Sequence, residues 1–161
     1  MASGWYNKGL RECVDGTIDL DTDSDLRLML VDDNYTYDAD HEVVDNGGDD
    51  ATDPSFNEIT ATNYTGGHQG AGRKQPTITL QENDTDNRVD IALSDQTWTS
   101  LGGATNDTIG GAILMKDGSA DDTTARVIAF FDVSDTATNG SDVTLDFLAL
   151  GSGGNLRLTL A

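Results

Sequence analysis

GTIDLDTDSDLRLMLVDD, residues 16–33, is the stretch that decides the fold. Apolar and polar residues alternate over residues 18–20 and again over 26–30. A period of two is typical of strands that bury one face. The Asp- and Ser-rich residues 21–25 between the two runs favour a tight turn. The stretch therefore predicts two strands joined by a turn, and it offers no apolar stripe for a helix.

Further short apolar runs follow along the chain. They cover residues 77–81, 88–93, 113–116, 125–133, 141–148 and 156–160. Gly, Asp and Asn separate them, as expected at turns. About eight short strands with such turns, and no helix of ordinary length, are typical of a β-sandwich or jelly roll. We therefore predict one all-β domain over residues 16–161, with Trp98 in its core.

Two segments lack strand periodicity. Residues 1–15 contain Gly4 and Gly9, which disfavour a helix, so we predict an extended N-terminal arm. Residues 32–65 are rich in Asp and predict a long loop, which inside a compact domain is usually functional or ordered by a partner. Within it, a one-turn helix is expected to begin near Asp38 or Asp53, with the aspartate as N-cap.

Charge is the strongest compositional signal. The 161 residues carry 29 acidic and 9 basic side chains, a formal net charge of -20, and only four of the acids are glutamate. Self-repulsion of this size destabilises a compact chain in dilute buffer, and salt screens it. The composition predicts adaptation to high ionic strength, with an acidic face for a basic partner or simple solubility as the alternatives. The lack of a basic stripe argues against binding of nucleic acid.

Several other classes of protein fit the sequence poorly. No apolar run is long enough to span a bilayer, and the first residues lack the apolar core of a secretory signal, so we expect no membrane association. The single cysteine, Cys13, excludes an intrachain disulfide and fits no zinc spacing. No nucleophile motif surrounds a serine or Cys13, so we expect no enzyme and no cofactor.

Two motifs resemble ligand sites but fail on spacing. DTDSD at residues 21–25 begins like a calcium loop, yet Leu26 and Asp32 stand where that loop needs glycine and glutamate. GGHQGAGRK at residues 66–74 lacks the spacing of a phosphate-binding loop. His41 and His68 lie in no metal-ligand pattern, so the sequence predicts no metal site.

The predicted arm contains the best candidates for partner binding. Trp5 and Tyr6 are large aromatic residues, and Lys8 and Arg11 add positive charge to a chain that has little. Such aromatic residues dominate the energetics of many interfaces. The alternative is that Trp5 and Tyr6 fold back onto the core of the domain.

Six segments, in chain order, resemble the small capsid decoration (cement) proteins of tailed viruses. They are GTIDLDTDSDLRLMLVDDNYTYDADH (16–41), Glu58 followed by NYTGG (63–67), VDIALSDQTWTS (89–100), GGAILMKDG (110–118), VIAFFDVS (127–134) and GSDVTLDFLALGSGGNLRLTL (140–160). Each segment is short, and their order along most of the chain carries the resemblance. The Asp-expanded residues 45–56 and the extreme charge depart from it and suggest a virus of a halophilic host.

The resemblance implies a non-enzymatic virion structural protein with a β-sandwich fold. Such a protein is made in the host cytoplasm, binds the major capsid protein on the outer surface of an icosahedral capsid, often as a homotrimer, and stabilises the shell. Two alternatives stay open. One is a tail or head-completion protein of the same virion, and the other is a carbohydrate- or cell-surface-binding β-sandwich module.

The charge leads to a first test. We expect the melting temperature of the isolated protein to rise steeply between roughly 0.1 and 3 M salt, because the Debye length shrinks severalfold over that range. Thermal unfolding across a salt series measures this. A melting temperature that is flat over the series would contradict adaptation to high salt.

Overall fold

The computed structural model describes residues 3–47, 50–86, 88–118 and 120–147, and the backbone of residues 156–159. The described strands are β1 (Gly4–Trp5), β2 (Leu26–Asp32), β3 (Ile78–Asn83), β4 (Arg88–Leu93), β5 (Gln96–Leu101), β6 (Thr108–Lys116), β7 (Arg126–Ala137), β8 (Ser141–Leu145) and β9 (Leu156–Thr159). One α-helix, α1 (Asn7–Val14), and one 3-10 helix, Pro54–Asn57, accompany them. The prediction of an all-β fold is confirmed.

The strands form three antiparallel sheets. The largest has the order β1-β7-β6-β2, the second β3-β4-β9, and the third pairs β5 with β8. One apolar cluster draws buried side chains from all three sheets, for example Leu28 of β2, Leu93 of β4 and Trp98 of β5. The large sheet therefore packs one face against the other two sheets, in a sandwich-like arrangement.

The other face of the large sheet is buried as well. Met29, Ile113 and Phe130 project into a second apolar cluster, together with Tyr6 from the N-terminus and Tyr35 from the segment that follows β2. Strands that are buried on both faces show nearly continuous apolar sequence. This explains why LRLMLVD and AILM contain consecutive apolar residues rather than a strict alternation.

The predicted strands agree with the structure along most of the chain, with four differences. Strand β7 continues to Ala137, four residues past the predicted end at residue 133. The run at residues 18–20 is buried, but it lies in turns and not in a strand. Strand β5 was missed, although Trp98 within it is core as predicted. Strand β6 begins at Thr108, five residues before the predicted run. Residues 148 and 160, the predicted ends of the last two strands, lie outside the described residues.

The prediction of an extended N-terminal arm is wrong. Strand β1 pairs with β7, and α1 follows it directly. Gly9 lies in the first turn of α1, where a Cβ atom would clash with the Val127 carbonyl oxygen and come within 2.7 Å of the Ile128 Cα. The glycine that suggested a break in the sequence is instead the residue that lets the helix lie against β7.

Many aspartates stabilise the turns in which they lie by accepting backbone hydrogen bonds. The carboxylates of Asp15, Asp38, Asp45, Asp50 and Asp121 each accept a hydrogen bond from the backbone N–H two residues further on. The short Asp side chain reaches this N–H, whereas Glu is one carbon too long to do so as readily. Hydrogen bonds from Thr17, Thr52 and Thr123 lower the pKa of Asp15, Asp50 and Asp121 respectively. Turn geometry thus accounts for part of the excess of Asp over Glu.

The close contact at Gly9 gives a second test. We expect Gly9→Ala to reduce the free energy of unfolding by about 1–3 kcal/mol, because overpacking against β7 outweighs the higher helix propensity of alanine. Arg11→Ala, at an exposed position of the same helix, should change it by less than about 0.5 kcal/mol. Urea unfolding in molar salt provides the comparison. A Gly9→Ala variant as stable as the wild type would show that the helix does not need this contact.

Candidate functional site

An apolar groove lies between α1 and the sheet that contains β3 and β4. Its volume is about 160 Å³, and its lining residues are Trp5, Leu10, Cys13, Val14, Leu20, Leu80, Val89 and Ile91. Leu10, Cys13 and Val14 share one face of the helix, since residues three and four positions apart are neighbours. Leu80 and Ile91 are directly paired across β3 and β4. Helix and sheet thus supply opposite walls.

The groove concentrates the exposed apolar surface of the protein. Among the described residues, four large apolar side chains are exposed: Phe56 (62%), Val14 (67%), Leu80 (42%) and Val89 (36%). Three of them line this one groove. Scattered exposed apolar residues need no explanation, but a contiguous apolar surface is typical of a binding site.

Arg11 lies beside this groove. Among the basic residues that the structure describes, Arg11 alone is largely exposed to solvent, whereas the others are partly or fully buried. Its nearest acidic partner is Asp15, with 3.8 Å between Nε and Oδ2. On the helix, Arg11 is three residues from Val14, so the two side chains are neighbours. A cation next to an apolar groove, on a protein of charge -20, would suit an acidic partner.

The four predicted partner-binding residues occupy different environments. Trp5 is half-buried and lines the groove, and Arg11 is exposed beside it. Tyr6 is fully buried, and its hydroxyl lies 2.7 Å from the Tyr35 hydroxyl. Tyr6 therefore folds back onto the core, the alternative considered from the sequence, and offers a partner no surface. Lys8 lies near Glu42, with 3.9 Å between Nζ and Oε2.

Cys13 also lines the groove, and its surroundings disfavour the thiolate form. Burial, with a contribution from the Glu12 carboxylate, raises the pKa of its thiol to about 12. The thiolate is the reactive form of cysteine, and at neutral pH this side chain stays protonated. Cys13 thus contributes apolar surface to the groove.

A second candidate site is an ion cluster around Arg73, whose side chain is completely buried. Its guanidinium binds both oxygens of Glu58, at 3.0 and 2.9 Å, and both oxygens of Asp122, at 2.6 and 3.0 Å. Asp117 adds a longer contact of 3.4 Å between its Oδ1 and Nη1. Burial alone lowers the pKa of Arg73, but the hydrogen bonds to Glu58 and Asp122 outweigh this and raise it above its ordinary value. The guanidinium is therefore permanently charged.

The cluster connects three segments that are distant in sequence. Glu58 follows the 3-10 helix, Arg73 lies near the end of the glycine-rich segment 66–74, and Asp117 and Asp122 lie in the connection between β6 and β7. Tyr64 extends the cluster to the large sheet, since its hydroxyl donates to Glu58 Oε1 at 2.9 Å and accepts from the Leu30 N–H at 3.1 Å. A Cβ atom on Gly72 would lie 2.7 Å from the Tyr64 ring, so the segment passes closely over it.

Sequence reasoning identified the groove in part and missed the ion cluster. Trp5 and Arg11 were candidates, but the sheet wall of the groove comes from residues some seventy positions further along. For the cluster, a signal was present: Glu58 is one of only four glutamates, and Arg73 stands in a glycine-rich segment. Nothing in the spacing showed that the two side chains meet. Asp21–Asp25 gather no group of metal-ligating atoms within the described part of the chain, where the only such group is His68, Asp117 and Asp122.

Comparison with known proteins yields no relative. No protein-family model, curated protein or solved structure shows significant similarity to this chain. No helix among the described residues has the length and apolar character needed to cross a membrane.

The ion cluster gives a third test. We expect Arg73→Met to lower the free energy of unfolding by about 3–5 kcal/mol, because it leaves buried carboxylates without their cation. Arg11→Met is the matched control, since its exposed ion pair should contribute no more than about 1 kcal/mol. Chemical unfolding of both variants in molar salt measures the difference. Equal losses in the two variants would mean that the cluster does not stabilise the fold.

Proposed function

We propose that this protein is a non-enzymatic structural protein of a tailed-virus virion. It decorates the outer surface of an icosahedral capsid, binds the major capsid protein and stabilises the shell. The virion role rests on the order of the six segments that resemble decoration proteins. The three sheets would form the jelly-roll-like sandwich that this resemblance implies, and the charge suits a particle that persists in concentrated salt.

The apolar groove is the observation that carries the binding role. Covering its exposed side chains with a partner would contribute at most about 1–2 kcal/mol for Val14, which is 67% exposed, and less for Leu80 and Val89, which are 42% and 36% exposed. The apolar surface of a single groove would give only a weak interface. Three copies in a closed homotrimer at a threefold position would multiply weak contacts by avidity. A decoration protein, which binds a repeating surface many times, is suited to such an interface.

The charges beside the groove indicate the kind of surface that it would meet. A capsid exposed to concentrated salt is expected to be acidic like this protein, so most of the two surfaces would repel each other. Arg11 is the basic side chain best placed to reduce that repulsion, because it is exposed and adjacent to Val14. We therefore assign Trp5, Val14 and Arg11 to the capsid contact, in place of the whole N-terminal segment.

The ion cluster around Arg73 suits the same role. It ties three loops to the large sheet with hydrogen-bonded ion pairs that are buried or nearly so. Charged side chains held in this way fix loop positions, and the raised pKa of Cys13 disfavours its reactive thiolate form. These features suit a rigid module that binds a partner and catalyses no reaction.

Binding to undecorated capsids tests the proposal. We expect Val14→Asp to reduce co-sedimentation with capsids in molar salt, with the apparent affinity at least about 10-fold lower, because a charge replaces apolar contact. Val14 is already 67% exposed, so the substitution should leave the fold intact, which circular dichroism checks. Image reconstruction of decorated particles would show whether the protein covers the shell or lies only at a tail vertex.

Phe56→Asp is the matched control for this experiment. Phe56 is 62% exposed, close to the 67% of Val14, but it lies on the 3-10 helix and does not line the groove. Its substitution should leave capsid binding unchanged. Equal binding by wild type and Val14→Asp would exclude the groove as the contact, and failure of the wild type to bind capsids at all would overturn the decoration role.

A further inference from the structure

The side chains of His68, Asp117 and Asp122 converge on the outer side of the ion cluster. The Nδ1 atom of His68 lies 3.0 Å from Asp117 Oδ1 and 3.8 Å from Asp122 Oδ1. All three atoms lie within 4.8 Å of one another. Arg73 approaches the same carboxylates with a side chain that is wholly buried, whereas the His68 side chain is 24% exposed. The partly exposed side chains of His68 and Asp122 place this side of the cluster nearest to solvent.

The charges of the cluster do not balance. Glu58, Asp117 and Asp122 bring three negative charges, Arg73 brings one positive charge, and a neutral His68 imidazole brings none. Two negative charges remain, on side chains that are between 1% and 17% exposed. Uncompensated charge with so little access to water is costly. A divalent cation would neutralise it.

The imidazole nitrogen provides an independent observation. His68 Nδ1 is buried and has no hydrogen-bond partner, although Asp117 Oδ1 is within reach, because the two atoms are not aligned for a hydrogen bond. The second oxygen of Asp117 accepts the Gln69 N–H at 3.0 Å, and that of Asp122 accepts from Arg73 Nη2 at 3.0 Å. These hydrogen bonds hold the carboxylates of Asp117 and Asp122 in orientations that direct each Oδ1 atom towards His68. A buried polar atom without a partner normally requires an explanation.

The chemistry of these atoms suits a metal site, and their spacing is close to one. Ligands about 2.0–2.2 Å from one ion lie about 3.0–3.5 Å apart in octahedral or tetrahedral geometry. The 3.0 Å between His68 Nδ1 and Asp117 Oδ1 lies in this range, and the 3.8 Å between His68 Nδ1 and Asp122 Oδ1 would need a small shift of the Asp122 side chain. Asp122 Oδ1 also accepts from Arg73 Nη1 at 2.6 Å, but a carboxylate oxygen has a second lone pair for an ion. Imidazole nitrogen suits transition metals, and mixed nitrogen and oxygen ligands favour zinc or manganese over calcium. Arg73 and Gln69 would orient the ligating carboxylates.

We propose that His68, Asp117 and Asp122 bind one divalent transition-metal ion, of the Zn²⁺ or Mn²⁺ class, with His68 Nδ1 and the two Oδ1 atoms as ligands. Water completes the coordination on the exposed side. The ion clasps the glycine-rich segment 66–74 to the turn between β6 and β7. This site is independent of the capsid contact at the groove.

Calorimetry on the full chain tests the site. After treatment with a chelator, the protein is titrated with zinc or manganese nitrate in molar sodium nitrate, because chloride competes for zinc. We expect one ion per chain and, at about 100 times the dissociation constant, a melting temperature about 5–10 °C higher. Calcium nitrate should bind at least tenfold more weakly. No stoichiometric binding of either transition metal overturns the proposal.

The two histidines of the chain provide matched variants. His68→Ala should weaken metal binding at least tenfold, whereas His41→Ala, outside the cluster, should leave it unchanged. Equal affinity in wild type and His68→Ala would show that the ion binds elsewhere. If His68→Ala does not fold, the histidine ring signals in the NMR spectrum of the wild type show which histidine binds the ion. Zinc must shift or broaden those of His68 and leave those of His41 in place, and the reverse pattern refutes the site.

Discussion

The need to cover both faces of the large sheet is the constraint on which the rest of the structure depends. Strands β2, β6 and β7 carry apolar residues towards both sides. One face packs on the two smaller sheets. The other needs a separate cover, which the N-terminal residue Tyr6 and the segment from Tyr35 to Val44 provide. The N-terminus and part of the long Asp-rich region are therefore held by the core, and their positions follow from it.

Placement of α1 follows from the same constraint. Tyr6 enters the second apolar cluster, and Gly9 lets the helix that follows lie against β7. Leu10, Cys13 and Val14 then face the sheet that contains β3 and β4, and the gap that is left between them is the apolar groove. The groove thus results from the packing of the N-terminus and depends on it. Its walls are rigid elements, which suits a preformed binding surface.

Acidic residues follow two different physical rules in this protein. Exposed aspartates are tolerated because they are solvated, and many of them also accept hydrogen bonds from the backbone of their own turns. Buried acids need compensation. Glu58, Asp117 and Asp122 surround Arg73, and Asp90 pairs with Arg88, with 2.7 Å between Oδ1 and Nε. Among the described basic residues, Arg73 and Arg88 neutralise such acids, whereas Arg11 beside the groove is exposed and pairs only with the exposed Asp15.

Local sequence patterns determined most of the strands, the core position of Trp98 and the strongly acidic surface. Alternation of apolar residues and the chemistry of turn residues act over a few positions, so they can be read without tertiary information. The Asp-rich residues 21–25 also proved to be turns, as their composition indicated. Trp5 and Arg11 were identified as unusual because large aromatic and basic residues are rare in this chain.

Only the tertiary structure decided which of these residues are accessible and which side chains meet. Gly9 disfavours a helix by its own propensity, but the close contact with β7 requires a residue without a side chain, and packing outweighed propensity. Tyr6 resembles Trp5 in sequence, yet one is core and the other lines the groove. Arg73 and Glu58 are 15 positions apart, and Arg73 and Asp122 are 49 apart. Pairing over such distances leaves no local pattern, because it depends on how the sheets bring separate loops together.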